Sequence, residues 1–379
     1  MKIGILTQPL QTNYGGLLQC WALQQTLKTM GHDPWVVQRV KNHHTFAQWL
    51  RICLRNAVCL LLGRPRLRWI SRADEAIIRR QTNEFTLKQI TPRTAQLFST
   101  HALLTDYELQ NYDAYIVGSD QVWRPKYSPC QSDFFLGFLP ESIKVKRIAY
   151  AASFGTDEWE YSTRLTQQCN RLLRRFDAVS VRESDGVILC ADHFDMTATQ
   201  TLDPTLLLDA TDYEALVTEA SEEQSPGDLF CYLLDRSEAK QQSVRQAAAR
   251  LGLTPFERMP RAMGMLSYEV PIEERIVPRV TQWLRAFIDA RCVVTDSFHG
   301  CVFALLFHRP FVAIGNQKRG QSRFHSLLGL FGLEERLVET SDTGKIVHLL
   351  KTPVNWDSVE VTLRRERARS FNFLHQALN

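Results

Sequence analysis

The stretch that decides the fold is Arg291-Cys-Val-Val-Thr-Asp-Ser-Phe-His-Gly300. Residues 292–294 are apolar and predict a buried strand, which ends at the polar residues 295–297. A helix is predicted to begin at about Gly300. A strand that passes directly into a helix lies at the edge of an open α/β sheet where ligands bind, and the free N–H groups of the helix start favour an anion. His299 lies in this turn and can change its charge near neutral pH.

Length and composition indicate a globular protein of two domains. The chain has 379 residues, 44% of them hydrophobic and 23% charged, with a formal net charge of +4. This charge is too small to indicate nucleic acid, so no nucleic-acid partner is predicted. Nine cysteines without a Cys-x-x-Cys pair, and a start that lacks a signal-peptide pattern, favour a reduced, cytoplasmic protein. No apolar run has the length of a bilayer span.

The chain begins with the pattern of a doubly wound α/β domain. A strand is predicted at residues 2–7, followed by Asn13-Tyr-Gly-Gly16, a helix at 17–30 and a second strand. Gly15 and Gly16 would allow the backbone to approach a ligand closely. The spacing is not the G-x-G-x-x-G of dinucleotide-binding proteins. A ligand-binding loop and a tight turn without a ligand both remain open.

Residues 41–80 differ from the rest in their charge. They carry nine basic residues against two acidic ones, and apolar residues such as Trp49 and Leu50 are interleaved with them. Such a basic amphipathic stretch is typical of peripheral contact with an anionic membrane. A solvated helical hairpin that packs on the domain, with its arginines facing water, explains the same pattern and is the favoured interpretation.

Two further strands carry polar groups to the carboxyl edge of the first predicted sheet. Strand 115–117 is followed by Gly-Ser-Asp120, and Asp120 is a candidate general base or a partner for a sugar hydroxyl. A loop aspartate that bonds its own backbone is the alternative. Strand 178–181 ends at Arg182, which is suited to binding a carboxylate or phosphate with two hydrogen bonds. An ion pair with a nearby acid such as Glu183 is the alternative.

A domain boundary is predicted between residues 204 and 205. Pro204 interrupts regular structure there, and a polar, acidic stretch follows before the strand and helix pattern restarts. Residues 1–204 are therefore predicted to form the first domain, with a basic helical insertion at about 41–105. Residues 205–379 form the second, and its last helix, 360–377, is a candidate to cross back to the first domain.

Seven short stretches, in order along the chain, make the sequence resemble the polysaccharide pyruvyl transferase family. They are Asn13-Tyr-Gly-Gly-x-Leu-Gln19, Val117-Gly-Ser-Asp-Gln-Val-Trp123, Ala151-Ala-Ser-Phe-Gly155, Val179-Ser-Val-Arg-Glu183, Asp203-Pro-Thr205, Thr295-Asp-Ser-Phe-His-Gly300, and Arg319-Gly320 with Ser322-Arg323 and Leu327-Leu328. The resemblance implies an α/β fold of two Rossmann-like domains that face a cleft, as in the GT-B glycosyltransferases. It also implies phosphoenolpyruvate as donor.

The acceptor implied by this resemblance is a sugar of a surface polysaccharide, such as an exopolysaccharide or capsule, or its lipid-linked precursor. The product is a cyclic ketal of pyruvate. The reaction has no redox step and needs no metal, so neither a cofactor nor metal ligands are predicted. Because a lipid-linked acceptor sits on the cytoplasmic face of the cell membrane, contact through residues 41–80 would suit this enzyme, and the two regions without motifs, 41–110 and 212–280, are predicted to shape the acceptor site.

The resemblance assigns roles to residues of the predicted edges. Arg182 and His299 match the family arginine and histidine that handle the donor, and His299 and Asp120 are the candidates for proton transfer. A structural role for His299 is the alternative. Family pockets can have an arginine two positions before this histidine, whereas this chain has Ser297 there. Ser297 is predicted to bind the donor, and Arg319 or Arg323 is predicted to supply the second contact to the anion.

The remaining predicted donor-binding residues are backbone contacts at two helix starts. Gly300 opens the helix after the decisive strand, and Asn13, Gly15 and Gly16 precede the first helix. Two rival functions remain open on the same fold. One is a glycosyltransferase that uses a nucleotide sugar, and the other is a non-catalytic component of a glycan-assembly complex, which a buried and fully paired Arg182 or His299 away from the cleft would favour.

Overall fold

The computed structural model describes residues 1–42, 45–63, 66–261, 270–315, 321–338 and 342–379, and it contains two parallel β-sheets. The first sheet has the strand order β2-β1-β3-β4-β5-β6. Its strands are β1 (Lys2–Leu6), β2 (Asp33–Val36), β3 (Ala114–Val117), β4 (Lys146–Ala152), β5 (Ala178–Val181) and β6 (Thr199–Gln200). The order reverses beside β1, which is the position where doubly wound sheets bind ligands.

The second sheet has the order β11-β10-β9-β7-β8 and is also parallel. Its strands are β7 (Leu229–Tyr232), β8 (Pro255–Phe256), β9 (Cys292–Thr295), β10 (Phe311–Ile314) and β11 (Leu337–Val338). Strand β9 is the strand predicted from the decisive stretch, and it lies in the middle of this sheet. Its carboxyl end therefore has neighbouring strands on both sides.

Thirteen helices connect and cover these strands in the described ranges. In the first half they are α1 (Tyr14–Thr29), α2 (Phe46–Leu61), α3 (Arg72–Gln89), α4 (Thr100–Gln110), α5 (Thr163–Leu173) and α6 (Ser184–Phe194). In the second half they are α7 (Ala210–Glu219), α8 (Glu238–Leu251), α9 (Val280–Asp289), α10 (Phe298–Leu306), α11 (Ser322–Phe331), α12 (Thr343–Lys351) and α13 (Trp356–Leu378). Short 3-10 helices at Gln131–Phe135, Pro204–Leu206, Ile272–Arg275 and Glu334–Arg336 complete the pattern.

Each sheet is buried on both faces, which explains why its strands are nearly continuous apolar runs. In β3, Ile116 packs into a core cluster that extends into the second sheet, whereas Tyr115 and Val117 pack into a separate cluster on the opposite face. In β9, Val293 belongs to the shared cluster and Val294 to a third one. The cluster shared by both halves holds the two sheets together.

The glycines near residue 15 are not in a loop. Helix α1 begins at Tyr14, so Gly15 and Gly16 lie in its first turn, and the prediction of a glycine loop or tight turn ahead of a helix at 17–30 was wrong. The prediction failed because glycine lowers helix propensity, while tertiary packing of this turn overrides the propensity. Helix α10 likewise begins at Phe298, two residues before the predicted start at Gly300.

The last helix, α13, packs against the first sheet. The Tyr150 and Phe373 rings lie 6.2 Å apart, and the backbone N–H of Leu202 donates to Ser370 Oγ at 3.0 Å. The predicted boundary between residues 204 and 205 falls in the 3-10 helix Pro204–Leu206, which contacts α1 and α10. The boundary itself stays a prediction.

The basic segment contains two helices with different surroundings. No residue of α2 is buried, whereas α3 packs against the second half of the chain, where the Val277 N–H donates to the Ile78 carbonyl at 3.1 Å. None of the helices in the described ranges combines the length and apolar character needed to cross a bilayer. All nine cysteines, which lie within those ranges, are free thiols.

Candidate active site

A cleft of about 510 Å³ lies between the carboxyl ends of the two sheets. Five of the residues predicted from the sequence line it: Asn13, Asp120, Ser297, His299 and Arg323. They come from α1, from the turn after β3, and from α10 and α11. The carboxyl ends of strands from both sheets therefore contribute to one site, as expected for parallel α/β sheets.

His299 is positioned by the close approach of α10 to α1. Its side chain is 8% exposed, and its imidazole lies directly over Gly15, where an added Cβ would be 2.0 Å from Nδ1. On the other side of the ring, Nε2 lies 3.5 Å from Asp203 Oδ2 and has no closer hydrogen-bond partner among the described residues. Gly15 thus makes room for the histidine, and contact of Gly15 with the donor stays a prediction.

Arg182 lies behind the cleft wall, in a network of carboxylates. Its Nη1 donates to Asp203 Oδ2 at 2.7 Å and its Nε to Glu183 Oε1 at 2.8 Å, and Nη2 is 3.9 Å from Asp120 Oδ1. The guanidinium also stacks 4.3 Å over the Phe298 ring. The side chain is 2% exposed. Direct binding of the donor by Arg182 stays a prediction, and this geometry favours the ion pair with Glu183 that the sequence left open.

The network keeps both Arg182 and Asp203 charged. Burial opposes the charge on Arg182, but Glu183, Asp203 and Asp120 outweigh it and raise the pKa of the guanidinium. Burial would likewise raise the pKa of Asp203, but His299 and Arg182 outweigh burial and hold the pKa well below its usual range. An ionised Asp203 facing Nε2 orients the imidazole and leaves Nδ1 on the side of Gly15.

Asp120 is presented to the cleft by a rigid turn. Its backbone has a positive φ of 66°, and its carbonyl accepts hydrogen bonds from the N–H groups of Val122 at 2.7 Å and Ser153 at 3.1 Å. Its Oδ2 accepts from Asn13 Nδ2 at 3.4 Å. Asn13 and Asp120 therefore act together at the cleft wall. The turn fixes the carboxylate in place, while its position on the cleft is compatible with the predicted role in proton transfer.

Asp296, which also lines the cleft, is neutralised by partners that the sequence did not reveal. Its Oδ1 accepts from the Leu234 N–H at 2.6 Å, and its Oδ2 accepts from the Asp235 N–H at 3.0 Å and from Lys240 Nζ at 2.8 Å. Lys240 is 2% exposed, so this is a buried ion pair. The carboxylate ties the loop after β7 to the start of α10 and adds little negative charge to the cleft.

Gly300 and Gly16 serve packing. A Cβ on Gly300 would lie 2.1 Å from Thr295 Oγ1, an atom that donates to the Tyr232 carbonyl at 2.8 Å and accepts from the Ser297 N–H at 3.1 Å. A Cβ on Gly16 would lie 3.2 Å from Asn13 Nδ2. Both glycines therefore allow a polar side chain to approach the first turn of a helix, and contact of either with the donor stays a prediction.

Of the two arginines predicted to supply the second anion contact, the structure describes Arg323. Arg323 lies in the first turn of α11 and lines the cleft. Burial and the nearby Arg182 guanidinium lower the pKa of Arg323 to about 10, so it remains charged at neutral pH in surroundings that a bound anion would improve. Arg319 lies outside the described residues.

Sequence reasoning missed Arg275, which ends the 3-10 helix Ile272–Arg275 and lines the cleft while only 5% exposed. It lies in the stretch 212–280, where no motif marks it. Among the described residues, no group of three or more histidine, cysteine or acidic side chains is placed to hold a metal ion. The expectation that the reaction needs no metal stays a prediction.

The fold and cleft define a protein of the GT-B-like class, and solved structures agree with this. S. aureus MnaA, solved with UDP, is 12% identical in sequence and superposes with a TM-score of 0.55. The alignment covers 100% of this chain and 97% of that one. Arabidopsis thaliana UGT89C1, solved with UDP-L-rhamnose, is 10% identical with a TM-score of 0.50, over 98% and 94% of the two chains. At these identities the likeness concerns the fold alone, and it confirms the predicted fold class.

The sequence profile described as "Polysaccharide pyruvyl transferase" matches residues 13–318. The chain belongs to the polysaccharide pyruvyl transferase family, which confirms the resemblance found in the motifs. Membership of this family places the chain among the transferases of polysaccharide biosynthesis. No curated protein matches the sequence.

Proposed function

We propose that this chain transfers a pyruvyl group from phosphoenolpyruvate to a sugar of a surface polysaccharide or of its lipid-linked precursor. Family membership supports polysaccharide pyruvylation in general, and the donor and the acceptor are the proposal. The observation that carries it is the position of His299, a cleft histidine whose ring is fixed between Gly15 and the ionised Asp203. Arg323 lines the same cleft and supplies positive charge for an anionic donor.

The residues of the cleft suit the chemistry of ketal formation. A proton must reach the methylene carbon of phosphoenolpyruvate, which makes C2 electrophilic, and a sugar hydroxyl then adds to C2. Phosphate leaves, and a second hydroxyl adds to C2 and closes the ring. One hydroxyl proton is retained in the new methyl group and the other on phosphate, so atoms and charges balance. We assign proton donation to His299 and proton removal to Asp120, because both line the cleft in fixed positions.

Donor binding tests this proposal before the acceptor is known. Calorimetry should show saturable binding of phosphoenolpyruvate to the wild-type protein and a loss of about 10-fold or more in affinity for His299→Asn. His308→Asn is the matched control, since His308 lies just beyond α10 but is 42% exposed and pairs with Glu360 at 2.8 Å. Binding of UDP-sugars in place of phosphoenolpyruvate would refute the proposed donor and favour a glycosyltransferase.

A non-catalytic role in glycan assembly is the second candidate, and one observation favours it. Arg182 is buried, fully paired and behind the cleft wall, as that alternative requires. His299, however, lines the cleft, which favours the enzyme. Release of phosphate from phosphoenolpyruvate in the presence of a lipid-linked glycan pool would decide for the enzyme, and its absence with every acceptor tried would favour the assembly role.

We further propose that α2 lies on an anionic membrane surface. Eight of the fifteen exposed large hydrophobic residues in the described chain fall within residues 46–62. They are Phe46, Trp49, Leu50, Leu54, Val58, Leu60, Leu61 and Leu62. Several recur at a spacing of three or four residues and so share one face of the helix. Exposed apolar side chains at this density mark a contact surface.

Charge and position favour an anionic lipid surface as the partner. No acidic residue occurs between Thr45 and Ala73, while Arg51 and Arg55 lie within α2 itself. A helix with one apolar and one basic face binds in the plane of anionic membranes. The following helix, α3, contributes Ile78 to the cleft wall. Attachment through α2 would therefore bring a lipid-linked acceptor close to the cleft.

Sedimentation with vesicles tests this surface. The wild-type protein should bind vesicles that contain phosphatidylglycerol and should bind phosphatidylcholine vesicles weakly. Leu54→Glu should reduce binding about 10-fold, since it places a charge on the apolar face. Leu109→Glu on α4 is the matched control, because Leu109 is 77% exposed but lies outside the basic segment. Equal binding of both variants would refute the proposal, and self-association abolished by Leu54→Glu would assign the face to a second copy of the chain.

A further inference from the structure

Arg275 is a buried cation without a counterion in the described part of the chain. It is 5% exposed, and its Nε and Nη2 atoms are buried without a hydrogen-bond partner. No acidic side chain of the described residues lies within 4.0 Å of its guanidinium. Its 3-10 helix packs against α3, and its side chain lines the cleft that also contains His299 and Arg323.

The other deeply buried cations of the fold have partners. Arg39 pairs with Asp133 at 2.7 Å, Lys240 with Asp296 at 2.8 Å, and Arg182 with Asp203 at 2.7 Å. Arg336, which is 1% exposed, lies 3.6 Å from Glu335 Oε1 and donates to the carbonyls of residues 349 and 352 at 2.7 and 2.9 Å. A buried charge without a counterion destabilises a fold. Because Arg275 has none among the described residues, it should lower the stability of the protein unless a ligand neutralises it.

We propose that Arg275 is an anion-binding residue of the cleft and that it acts with Arg323 to hold the donor. The two guanidinium groups come from different elements, the 3-10 helix Ile272–Arg275 and α11, and both line the same cavity. A donor with a carboxylate and a phosphate offers one anionic group to each. This assignment to phosphoenolpyruvate rests on the proposed function, whereas the binding of an anion by Arg275 does not.

The acidic side chains of the same cleft do not cancel this positive charge. Asp296 is neutralised by Lys240 and two backbone N–H groups. Asp120 accepts from Asn13 and lies 3.9 Å from the Arg182 guanidinium. Both carboxylates are therefore held by partners on their own side, which leaves the Arg275 charge for a bound ligand. A guanidinium is also able to bind a phosphate or a carboxylate through two parallel hydrogen bonds.

Affinity and stability together test the role of Arg275. Calorimetry with phosphoenolpyruvate, inorganic phosphate and UDP first shows which of these anions the wild-type protein binds. Arg275→Met should weaken the affinity for that anion by about 10- to 100-fold. Arg275→Lys should recover part of this loss because it retains the charge. Arg245→Met is the control, since Arg245 lies on the surface of α8 and is 55% exposed.

Urea unfolding without ligand separates binding from structure. Arg275→Met should leave the unfolding midpoint unchanged or raise it, because it removes an unpaired buried charge. Arg336→Met should lower the midpoint, because it removes hydrogen bonds from buried carbonyls. A lower midpoint for Arg275→Met with unchanged anion affinity would show that Arg275 is structural and would overturn the inference.

The same experiments distinguish this inference from the proposed function. If Arg275→Met binds phosphoenolpyruvate as tightly as the wild-type protein does, the proposed donor is supported and the role of Arg275 is refuted. If the wild-type protein binds UDP but not phosphoenolpyruvate, and Arg275→Met loses this binding, the anion-binding role of Arg275 is supported and the proposed donor is refuted. If the wild-type protein binds none of the three anions, both proposals are wrong.

Discussion

The substitution Gly15→Ala is predicted to displace His299 without unfolding the protein. An alanine Cβ at this position would lie 2.0 Å from His299 Nδ1, 2.2 Å from Cγ and 2.5 Å from Cε1. Ordinary van der Waals contact begins at 3.4 Å, so the shortest of these contacts is too close by 1.4 Å. Gly15 lies inside the first turn of α1 and has an ordinary helical backbone, so alanine itself suits the position.

The magnitude follows from this overlap. The backbones of α1 and α10 are buried, so the imidazole is the group that can move, and it must shift by about the overlap. Overpacking of this kind costs about 1–3 kcal/mol. A displacement of about 1 Å in a reacting group can lower the rate about 100-fold. We therefore expect Gly15→Ala to reduce kcat/KM for phosphoenolpyruvate by about 100-fold, and the free energy of unfolding by no more than about 3 kcal/mol.

Two measurements check this prediction. Release of phosphate from phosphoenolpyruvate gives kcat/KM, and NMR of the histidine ring nitrogens reports the position and tautomer of His299 independently of the donor. Gly329→Ala on α11 is the control, because its Cβ would meet its nearest atom at 3.7 Å. Unchanged His299 signals and activity in Gly15→Ala, or equal losses in both variants, would refute the reasoning.

Three other predictions concern the network behind the cleft. In urea titrations, Asp203→Asn should lower the free energy of unfolding by about 3–5 kcal/mol, because the buried Arg182 loses its charged partner at 2.7 Å. Asp195→Asn is the control: its carboxylate is 91% exposed, so the free energy of unfolding should change by less than about 0.5 kcal/mol. The pKa of Asp203 is lower in the folded state than in the unfolded state. The stabilisation by its carboxylate is therefore fully present above about pH 4, the pKa of an ordinary aspartate, and is lost as the pH falls through the folded-state pKa. The difference between wild type and Asp203→Asn should therefore shrink in acid, and a constant difference down to pH 2 would contradict the assignment. Gly300→Ala should cost about 1–3 kcal/mol in thermal or urea unfolding, since its Cβ would meet Thr295 Oγ1 at 2.1 Å, and a neutral result would show that this contact is easily relieved.

Much of the fold was predictable because it depends on short-range patterns. Strand β5 has the predicted bounds, 178–181, and the strand in the decisive stretch lies where its apolar run indicated. Hydrophobic periodicity and the polar residues at strand ends are local properties, so they can be read without knowing the packing. The start of α1 was missed because the side chain that packs on Gly15 in this helical turn, His299, comes from the second half of the chain.

The candidate site was predictable in part for the same reason. Asp120, Ser297 and His299 follow strand ends, and the carboxyl ends of parallel strands meet at one edge. Arg182 satisfies the same rule, yet the structure places it behind the wall. Its charge is taken up by Glu183 beside it and by Asp203 from the edge of β6, and only the pairing of β5 with β6 brings Asp203 there.

The sequence by itself therefore determined the α/β class, most helices and strands, the family and the edge of each sheet that carries polar groups. These properties depend on neighbours along the chain and on the fixed direction of parallel strands. Tertiary structure alone decided that Gly15 lies under His299, that carboxylates enclose Arg182, and that Arg275 reaches the cleft without a counterion among the described residues. The reason is that burial and charge pairing depend on side chains from distant parts of the chain, and only the packed fold brings them together.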